Sequence, residues 1–439
     1  MIQIIDWQNH NPEEQQVQDC LQRPVSGTAE SLRNGVKELI ADVRSHGDDA
    51  LRRLTERFDK VAIKDLEVTP EEFSEAWQEV SAETKQAIEE AIKNIETFHK
   101  QQQSPSIDIE IQAGVRCLRQ SRPIERVGLY APGGTAPLPS TVIMLAVPAK
   151  LAGCPIKILC TPPNKEGKVN PHILTAAKLA GIERIFKVGG AQAIAAMAFG
   201  TESIPKVDKI FGPGNSWVTE AKLQVAQDPL GATYDMPAGP SEVLVIADES
   251  ARAEFIAADL LSQAEHGHDS QAILLTTSPE LATKTRDEVL DQATRLSRQS
   301  IVENALNFCR IIICQDLEQC IRLSNQYAPE HLIVQTAEAE TWIPKIQNAG
   351  SVFLGPWSPE SVGDYASGTN HVLPTYGYAK SISGLSVDSF TKQITFQQLS
   401  SAGLARLGPT VERLAELEGL DAHRQAVSVR LAALREGKL

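Results

Sequence analysis

IKILCTPPNKEGKVNPHILTAAKLAGIERIFKVGGAQAIAAMAF, residues 156–199, alternates between strand and helix patterns. Short apolar runs bounded by turn residues predict strands at 156–160 and 185–188. Apolar residues at helical spacing predict helices at 172–180 and 192–199. Because strands and helices alternate with short connections, this segment predicts parallel βαβ units.

The same alternation continues on both sides of this segment. Further strands are predicted at 115–119, 127–130, 208–211, 243–247, 272–276, 311–314 and 332–334, and further helices at 253–265 and 281–298. Before them, a polar arm is followed by helices, with a break at Gly47 and a helix cap at Thr69. A helical stretch is predicted at 410–436. The sequence therefore predicts an α/β fold.

Composition and charge exclude several classes of protein. The chain has 439 residues, 42% hydrophobic and 22% charged, which is typical of a soluble globular protein. Its net charge is −14 and no run of Lys and Arg occurs, so we predict no nucleic-acid partner. The N-terminus lacks a basic segment followed by an apolar one, and prolines and lysines interrupt the apolar run 142–160. We therefore predict neither a signal peptide nor a membrane contact.

The cysteines point to a reducing compartment. Seven cysteines are scattered along the chain, and no CxxC pair occurs among them. An odd number without paired spacing argues against a disulfide framework and against a cysteine zinc site. We therefore predict a cytoplasmic location.

The string LSQAEHG, residues 261–267, carries two candidate ligands at the end of a predicted helix. Gln263 and His266 are three residues apart, so they share one helix face. Gly267 is predicted to end the helix in the left-handed conformation. The pair offers an amide oxygen and an imidazole nitrogen to a metal or a substrate. The alternative is a histidine that interacts with the helix dipole, and the local sequence alone favours it.

The string YAPEHL, residues 327–332, places Glu330 beside His331 just before a predicted strand. Adjacent side chains of extended backbone point to opposite sides, so we predict that the two do not bond each other and serve different steps. An imidazole suits proton abstraction near neutrality because its usual pKa is about 6.5. The alternative is a histidine at a strand edge beside a surface glutamate, and the residues leave both open.

The string GDYASGTNH, residues 363–371, combines glycines, a carboxylate and a histidine, which favours a functional loop. Asp364 is a candidate metal ligand, and His371 is a candidate second base or substrate contact. A turn capped by the aspartate is the alternative. His423 lies alone in a helical segment, where the local sequence favours a surface or packed residue.

Glycine turns follow two predicted strands, at 188–192 and 212–215. Such turns can bring backbone N–H groups to a phosphate at the start of a helix. The fingerprint G-x-G-x-x-G, however, follows no predicted strand, so plain tight turns are an equal alternative. The candidate ligands are also far apart in sequence, and their spacing does not show that they converge.

Taken together, these segments resemble the histidinol dehydrogenase family over nearly the whole chain. The matching strings are RVGLYAPGG (126–134), VGGAQAIAA (188–196), FGPGN (211–215), DMPAGPSEVLV (235–245), LSQAEHG (261–267), YAPEHL (327–332) and GDYASGTNHVLPTYG (363–377). The resemblance implies two Rossmann-like α/β domains that lack the G-x-G-x-x-G fingerprint.

The same resemblance implies how the chain is divided. The implied parts are an N-terminal arm (1–24), a discontinuous domain that carries the zinc and substrate residues (25–110 and 236–376), an NAD-binding domain (111–235) and a C-terminal dimerisation segment (377–439). The arm and the C-terminal segment would be exchanged between the subunits of a homodimer with shared active sites.

The implied activity is a zinc-dependent oxidation of L-histidinol to L-histidine through the aldehyde, with two NAD reduced, in the last steps of histidine biosynthesis. One zinc ion per subunit would be held by Gln263, His266, Asp364 and His423, the last of these from the partner subunit. Ligands that offer oxygen and imidazole nitrogen suit zinc.

The remaining implied roles concern catalysis and binding. His331 would act as the base and Glu330 would activate water. Tyr130, Gln192 and Asn215 would line the NAD site. The substrate contacts would be Ser241, Gln263, His266, His331, Asp364, Glu418 and His423. Cys117 and Cys154 are the candidates for a covalent thiol route, but the resemblance needs none, and we interpret both as packed residues.

Two other functions remain as alternatives. A zinc hydrolase that uses His266, Asp364 and Glu330 would turn over without NAD. A binding protein that kept the fold without the activity would bind zinc or ligand and form no NADH. The intact Glu330 and His331 argue against this second alternative.

Overall fold

The computed structural model describes residues 2–9, 14–24, 30–133, 137–237 and 239–437. The chain divides into two compact units. Unit 1 comprises residues 1–102 and 124–390, and unit 2 comprises residues 103–123 and 391–439. Part of the predicted arm (10–13), the start of the predicted 25–110 segment, and Gly134 of the RVGLYAPGG string lie outside the described residues.

The described strands and helices follow the predicted alternation. The strands are β1 (Gln3–Asp6), β2 (Ile107–Gln112), β3 (Val115–Pro123), β4 (Arg126–Tyr130), β5 (Ile156–Thr161), β6 (Arg184–Lys187), β7 (Lys209–Phe211), β8 (Thr233–Tyr234), β9 (Glu242–Ala247), β10 (Gln271–Thr276), β11 (Arg310–Ile313), β12 (His331–Gln335), β13 (Ser351–Leu354) and β14 (Thr391–Leu399). The α-helices are α1 (Glu14–Cys20), α2 (Glu30–Asp59), α3 (Pro70–Glu79), α4 (Ala82–His99), α5 (Pro139–Ala152), α6 (Pro171–Ala180), α7 (Gly190–Phe199), α8 (Ser216–Gln227), α9 (Ala253–Ala264), α10 (Pro279–Ala293), α11 (Gln299–Ala305), α12 (Leu317–Tyr327), α13 (Glu360–Tyr365), α14 (Ser401–Leu417) and α15 (Asp421–Arg435).

Unit 1 contains two parallel sheets, which confirms the α/β prediction. The five-stranded sheet has the order β6-β5-β4-β7-β8, and the six-stranded sheet has the order β1-β11-β10-β9-β12-β13. Every described pairing in both sheets is parallel. Central strands such as β9 and β12 are buried along their whole length, because helices cover both faces of a parallel sheet.

The two sheets occupy different stretches of sequence. The five-stranded sheet uses residues from 126 to 234, and the six-stranded sheet uses residues from 242 to 354 together with β1. Strand β1, inside the predicted polar arm, pairs in parallel with β11 of the same chain. The domain boundaries implied by the resemblance stay a prediction.

Unit 2 is built differently, from an antiparallel sheet and two helices. Its sheet has the order β14-β3-β2, and β14 pairs with β3 over its full length. The helical stretch predicted at 410–436 is in fact two helices, α14 and α15. Gly419, with a φ of 67°, separates them in the left-handed conformation that ends helices.

Local signals for helix boundaries are confirmed in unit 1. Thr69 and Glu72 form a reciprocal capping box at the start of α3. Gly47 breaks the regular helix inside α2 with a φ of 50°. The predicted helix 281–298 ends earlier, at Ala293, and α11 follows as a separate helix. Among the described residues, no helix is long and apolar enough to cross a membrane.

Candidate active site

A pocket of about 350 Å³ in unit 1 gathers most of the candidate residues. It lies at the amino ends of β9 and β12 of the six-stranded sheet and at the carboxyl ends of β4 and β7 of the five-stranded sheet. The pocket is lined by the predicted residues Asn215, Ser241, Gln263, His266, Glu330, His331, Asp364 and His371. Strings that are far apart in sequence therefore meet at one site.

The end of α9 positions Gln263 and His266. Helix α9 ends at Ala264, and the backbone N–H of His266 donates to the carbonyl of Gln263 at 3.2 Å. Gly267 does not adopt a left-handed φ, so the predicted left-handed stop is wrong. The helix ends instead through a right-handed cap at Glu265, which keeps both predicted ligands facing the pocket.

Helix α13 adds a carboxylate that the sequence reasoning missed. Glu360 and Asp364 are four residues apart, so they share one face of this short helix. Ligand atoms of His266, Glu360 and Asp364 all lie within 4.8 Å of one another. The spacing from Asp364 was the available signal for Glu360, which is only 1% exposed. One imidazole and two carboxylates at this separation suit a divalent metal such as zinc.

Hydrogen bonding orients the amide of Gln263. The amide satisfies its neighbours only when its nitrogen faces Glu360. In this orientation Nε2 donates to Oε2 of Glu360 at 2.9 Å, and Oε1 accepts from the backbone N–H of Glu242 at 3.0 Å. Glu360 therefore fixes the orientation of the Gln263 amide, with Oε1 turned towards the backbone N–H of Glu242.

Glu330 and His331 lie close together in the pocket. Oε2 of Glu330 accepts from the N–H of Glu242 at 2.8 Å and lies 3.7 Å from Nδ1 of His331. The predicted placement of the two on opposite sides is wrong, because Glu330 precedes the strand in a bend and only His331 belongs to β12.

The two ring nitrogens of His331 have different surroundings. Nδ1 lies 3.2 Å from the carbonyl oxygen of Glu242, to which it can only donate. In the neutral ring Nε2 then carries the lone pair. Nε2 is buried, has no hydrogen-bond partner among the described residues, and lies 3.6 Å from Oδ1 of Asp364. Only the neutral ring presents an unpartnered acceptor inside the pocket, whereas the carboxylates around it favour the protonated ring.

Burial and the neighbouring charges shift the pKa values of the four titratable side chains of the pocket. Burial raises the pKa of Glu330 and that of Glu360 from 4.5 to about 8 each. Burial alone would lower the pKa of His331, but the surrounding carboxylates outweigh it and raise the pKa to about 10. Burial would raise the pKa of Asp364, but the neighbouring His331 holds it below its usual value.

The raised pKa values of the two glutamates affect the stability of the protein. Since the folded pKa values of Glu330 and Glu360 lie above 4.5, the metal-free protein loses stability as the pH rises from 4.5 towards 8. A bound cation would offset the crowded carboxylates. His266 reaches solvent at the pocket mouth, yet the surrounding protein lowers its pKa through loss of hydration, which favours the neutral, ligating form.

Other predicted residues lie around the pocket or outside it. Nδ1 of His371 lies 2.8 Å from the carbonyl oxygen of Asp364. Asn215 caps α8 by accepting from two backbone N–H groups. Tyr130 and Gln192 do not line the pocket. Tyr130 is buried at the end of β4, where its hydroxyl accepts from the N–H of Gly190 at 3.0 Å, and Gln192 is buried in the first turn of α7.

The two remaining predicted substrate and metal residues belong to unit 2. Glu418 caps the C-terminus of α14, and His423 lies in the first turn of α15. Their proposed roles stay predictions. Among the described residues, no cysteine lines the pocket. Cys117 lies in unit 2, and burial raises the pKa of Cys154 to about 11, which makes its thiol a poor nucleophile.

Known proteins of one family match this chain over nearly its whole length. A model of the histidinol dehydrogenase family matches residues 22–431. The histidinol dehydrogenase of Pectobacterium atrosepticum is 54% identical over 433 residues, which cover 99% of this chain and 97% of that protein. The histidinol dehydrogenase of Escherichia coli strain K12 is 53% identical over 433 residues, with 99% and 98% covered. A crystal structure of histidinol dehydrogenase from Elizabethkingia anophelis has a TM-score of 0.94 and 52% identity, and the match covers 99% of each chain.

Proposed function

Since this chain belongs to the histidinol dehydrogenase family of oxidoreductases, we propose that it oxidises L-histidinol to L-histidine in two NAD-dependent steps with the aldehyde as intermediate. These two oxidations are the last steps of histidine biosynthesis. The observation that carries the proposal is the buried, unpartnered Nε2 of His331, which faces a pocket rich in metal-binding side chains.

Zinc is the metal that we propose for this pocket, one ion per subunit. Gln263, His266 and Asp364 of one subunit and His423 of the partner subunit would hold it. The separation of the imidazole and carboxylate ligand atoms supports the proposal. Zinc, when bound, would mainly orient the substrate through its imidazole and amine, with less of a role as a Lewis acid.

His331 is proposed as the general base for both oxidations. A bound cation would offset the carboxylates that raise the pKa of His331 and so favour its neutral ring. In that ring Nδ1 is held by the carbonyl of Glu242, and Nε2 can take the hydroxyl proton of the alcohol and later that of the hydrated aldehyde. Glu330 would activate the water that hydrates the aldehyde. Burial raises its pKa to about 8, and a carboxylate with a pKa near neutrality can both accept and return a proton.

NAD, when bound, accepts the hydride of each oxidation. We propose that Tyr130, Gln192 and Asn215 line its site in the domain formed by residues 111–235, one of two Rossmann-like domains that lack the G-x-G-x-x-G fingerprint. Support comes from their position at the carboxyl ends of the five-stranded sheet, where open parallel sheets bind ligands. Ser241 and Glu418 are proposed to hold the substrate.

The homodimer with shared active sites that the family resemblance implies is also proposed, with His423 of the partner subunit at the zinc ion. Strand β1 already pairs within its own chain, so the exchange that we propose concerns the C-terminal segment 377–439.

A cytoplasmic location agrees with the free state of all seven cysteines. The net charge of −14 agrees with the absence of a nucleic-acid partner.

The stoichiometry of NADH tests the reaction directly. With zinc and excess NAD, we expect two NADH per L-histidinol consumed, measured by absorbance. Glu330→Gln keeps the shape of the side chain but cannot accept a proton, so its yield is expected to fall towards one. One NADH from the wild-type protein would contradict the second oxidation. No NADH would favour a zinc hydrolase or a binding protein instead.

Replacement of Glu360 tests the metal site. Glu360→Gln is expected to weaken zinc binding by about 10–100-fold, because a neutral side chain cannot offset the metal charge or hold the Gln263 amide in one orientation. Competition with a chromophoric chelator measures the zinc affinity. Glu265→Gln is the matched control, since Glu265 caps the neighbouring helix α9 but does not line the pocket. An unchanged zinc affinity in Glu360→Gln would show that this carboxylate has no part in the site.

A further inference from the structure

A buried ion pair lies beside the active-site pocket without lining it. Glu242 is the first residue of β9 and is 2% exposed, and its carboxylate pairs with the guanidinium of Arg23. Nε of Arg23 donates to Oε1 of Glu242 at 2.5 Å, and Nη2 donates to Oε2 at 2.9 Å. Because the guanidinium is rigid and planar, this two-point contact fixes the orientation of both side chains.

The backbone of Glu242 contacts both of the proposed catalytic residues. Its N–H donates to Oε2 of Glu330 at 2.8 Å, and its carbonyl oxygen lies 3.2 Å from Nδ1 of His331. The same N–H also faces Oε1 of Gln263 at 3.0 Å. The place of this one residue therefore sets where the carboxylate of Glu330 and the ring of His331 lie.

Arg23 holds the chain that leads into Glu330 as well. Its Nη2 donates to the carbonyl of Tyr327 at 2.8 Å and to that of Ala328 at 3.4 Å. The guanidinium also lies over the ring of Tyr327, 3.9 Å from its centroid. One side chain thus ties the start of β9 to the segment just before the proposed catalytic residues.

The ion pair also contacts backbone in an unfavourable conformation. Ala328 has a φ of 55° and Tyr376 a φ of 53°, and the N–H of Tyr376 donates to Oε1 of Glu242 at 2.8 Å. These are two of the three non-glycine residues with positive φ among those that the structure describes. Residues other than glycine keep this conformation where their surroundings impose it, most often at functional sites. A buried ion pair adds little net stability, so its contacts point to a role in geometry.

We propose that Arg23 and Glu242 are positioning residues for the oxidation of L-histidinol, which hold the ring of His331 and the carboxylate of Glu330 in the geometry of proton transfer. The proposal rests on the proposed roles of His331 and Glu330. A group that transfers a proton must lie within hydrogen-bond distance of it, and a displacement of about 1 Å can lower the rate by about 10²-fold. The pair acts through the backbone and is not among the proposed substrate contacts.

Steady-state kinetics of the zinc-loaded Arg23→Met variant test the proposal. Methionine fills much of the same space but donates no hydrogen bond, so we expect kcat for L-histidinol to fall by about 10–100-fold. The KM for L-histidinol should stay near the wild-type value, because the proposed zinc ligands of unit 1 lie on α9 and α13 and have no described hydrogen bond to Arg23. Arg23→Lys should have an intermediate kcat, since it keeps the charge but cannot reproduce the planar set of contacts.

The double variant Arg23→Met/Glu242→Gln separates positioning from stability. Arg23→Met leaves the Glu242 carboxylate buried without its cation and should lower the thermal midpoint, whereas the double variant removes both charges and should recover it. Its kcat should stay low, because no group then holds the carbonyls of Tyr327 and Ala328. If Arg23→Met fails to fold, Arg23→Lys and the double variant carry the test. Recovery of kcat together with the thermal midpoint would show that the pair only stabilises the fold.

Arg44→Met is the matched control. Arg44 also pairs with a carboxylate, that of Asp228 at 2.6 Å, and lies over an aromatic ring, that of Phe199 at 4.2 Å, but none of the three lines the active-site pocket. Its kcat should equal that of the wild-type protein. Wild-type kcat in folded Arg23→Met would overturn the positioning role, while two NADH per L-histidinol would leave the proposed function standing. If the wild-type protein forms no NADH, both are wrong.

Discussion

Replacing His331 with Asn is expected to lower kcat for L-histidinol oxidation by about 10²–10⁴-fold. The substitution is chosen for its geometry. The amide nitrogen of Asn can reproduce the hydrogen bond that Nδ1 of His331 makes with the carbonyl of Glu242, at 3.2 Å. It has no atom at the position of Nε2, the buried and unpartnered nitrogen that we assign as the base. The variant therefore removes the proton acceptor and keeps the local packing.

The measurement is kcat at saturating L-histidinol and NAD, together with the zinc content of the same preparation. The zinc content should be unchanged, since His331 is not among the proposed ligands. His46→Asn serves as the control, because the His46 side chain is 58% exposed on α2 and bonds only to its own helix. Near-normal turnover in His331→Asn would mean that another group removes the proton.

The fold was predictable where local patterns carry the information. Strands β9 and β12 and the capped helix α3 follow from apolar runs and turn residues within a few positions. Helix α5 was missed because it is buried all round, so its sequence has no polar face and no helical period. The pairing of β14 with β3 joins segments that are far apart in the chain, and no local pattern encodes it.

The site was predictable as separate pieces. The strings around His266, His331 and Asp364 each suggested chemistry, but their convergence depends on the way helix α9 returns its C-terminus to the amino ends of β9 and β12. Glu360 was missed because a lone glutamate in sequence is most often a surface residue. Its burial and its contact with the amide of Gln263, which only the structure supplies, strengthen the weak signal of its spacing from Asp364.

The second large effect is expected from His266→Asn, which should lose bound zinc and with it the oxidation of L-histidinol. His266 supplies the only imidazole among the three clustered side chains of unit 1, and asparagine is too short to bring a ligand atom to the same place. The loss of zinc affinity should exceed the about 10–100-fold expected for Glu360→Gln, because a residue that binds the metal directly contributes more than one that orients a ligand.

Zinc content after dialysis and zinc affinity by chelator competition are the measurements, with kcat followed as zinc is added back. The proposed ligands come together only in the folded protein, so zinc should raise the thermal midpoint of the wild-type protein and have little effect on that of His266→Asn. His268→Asn is the matched control, because His268 lies two residues further along the same exposed turn and does not line the pocket. Full zinc content in His266→Asn would mean that the metal site lies elsewhere in the protein. Loss of zinc with retained oxidation would mean that the oxidation of L-histidinol does not need the metal. His331 would then be the main determinant of the rate.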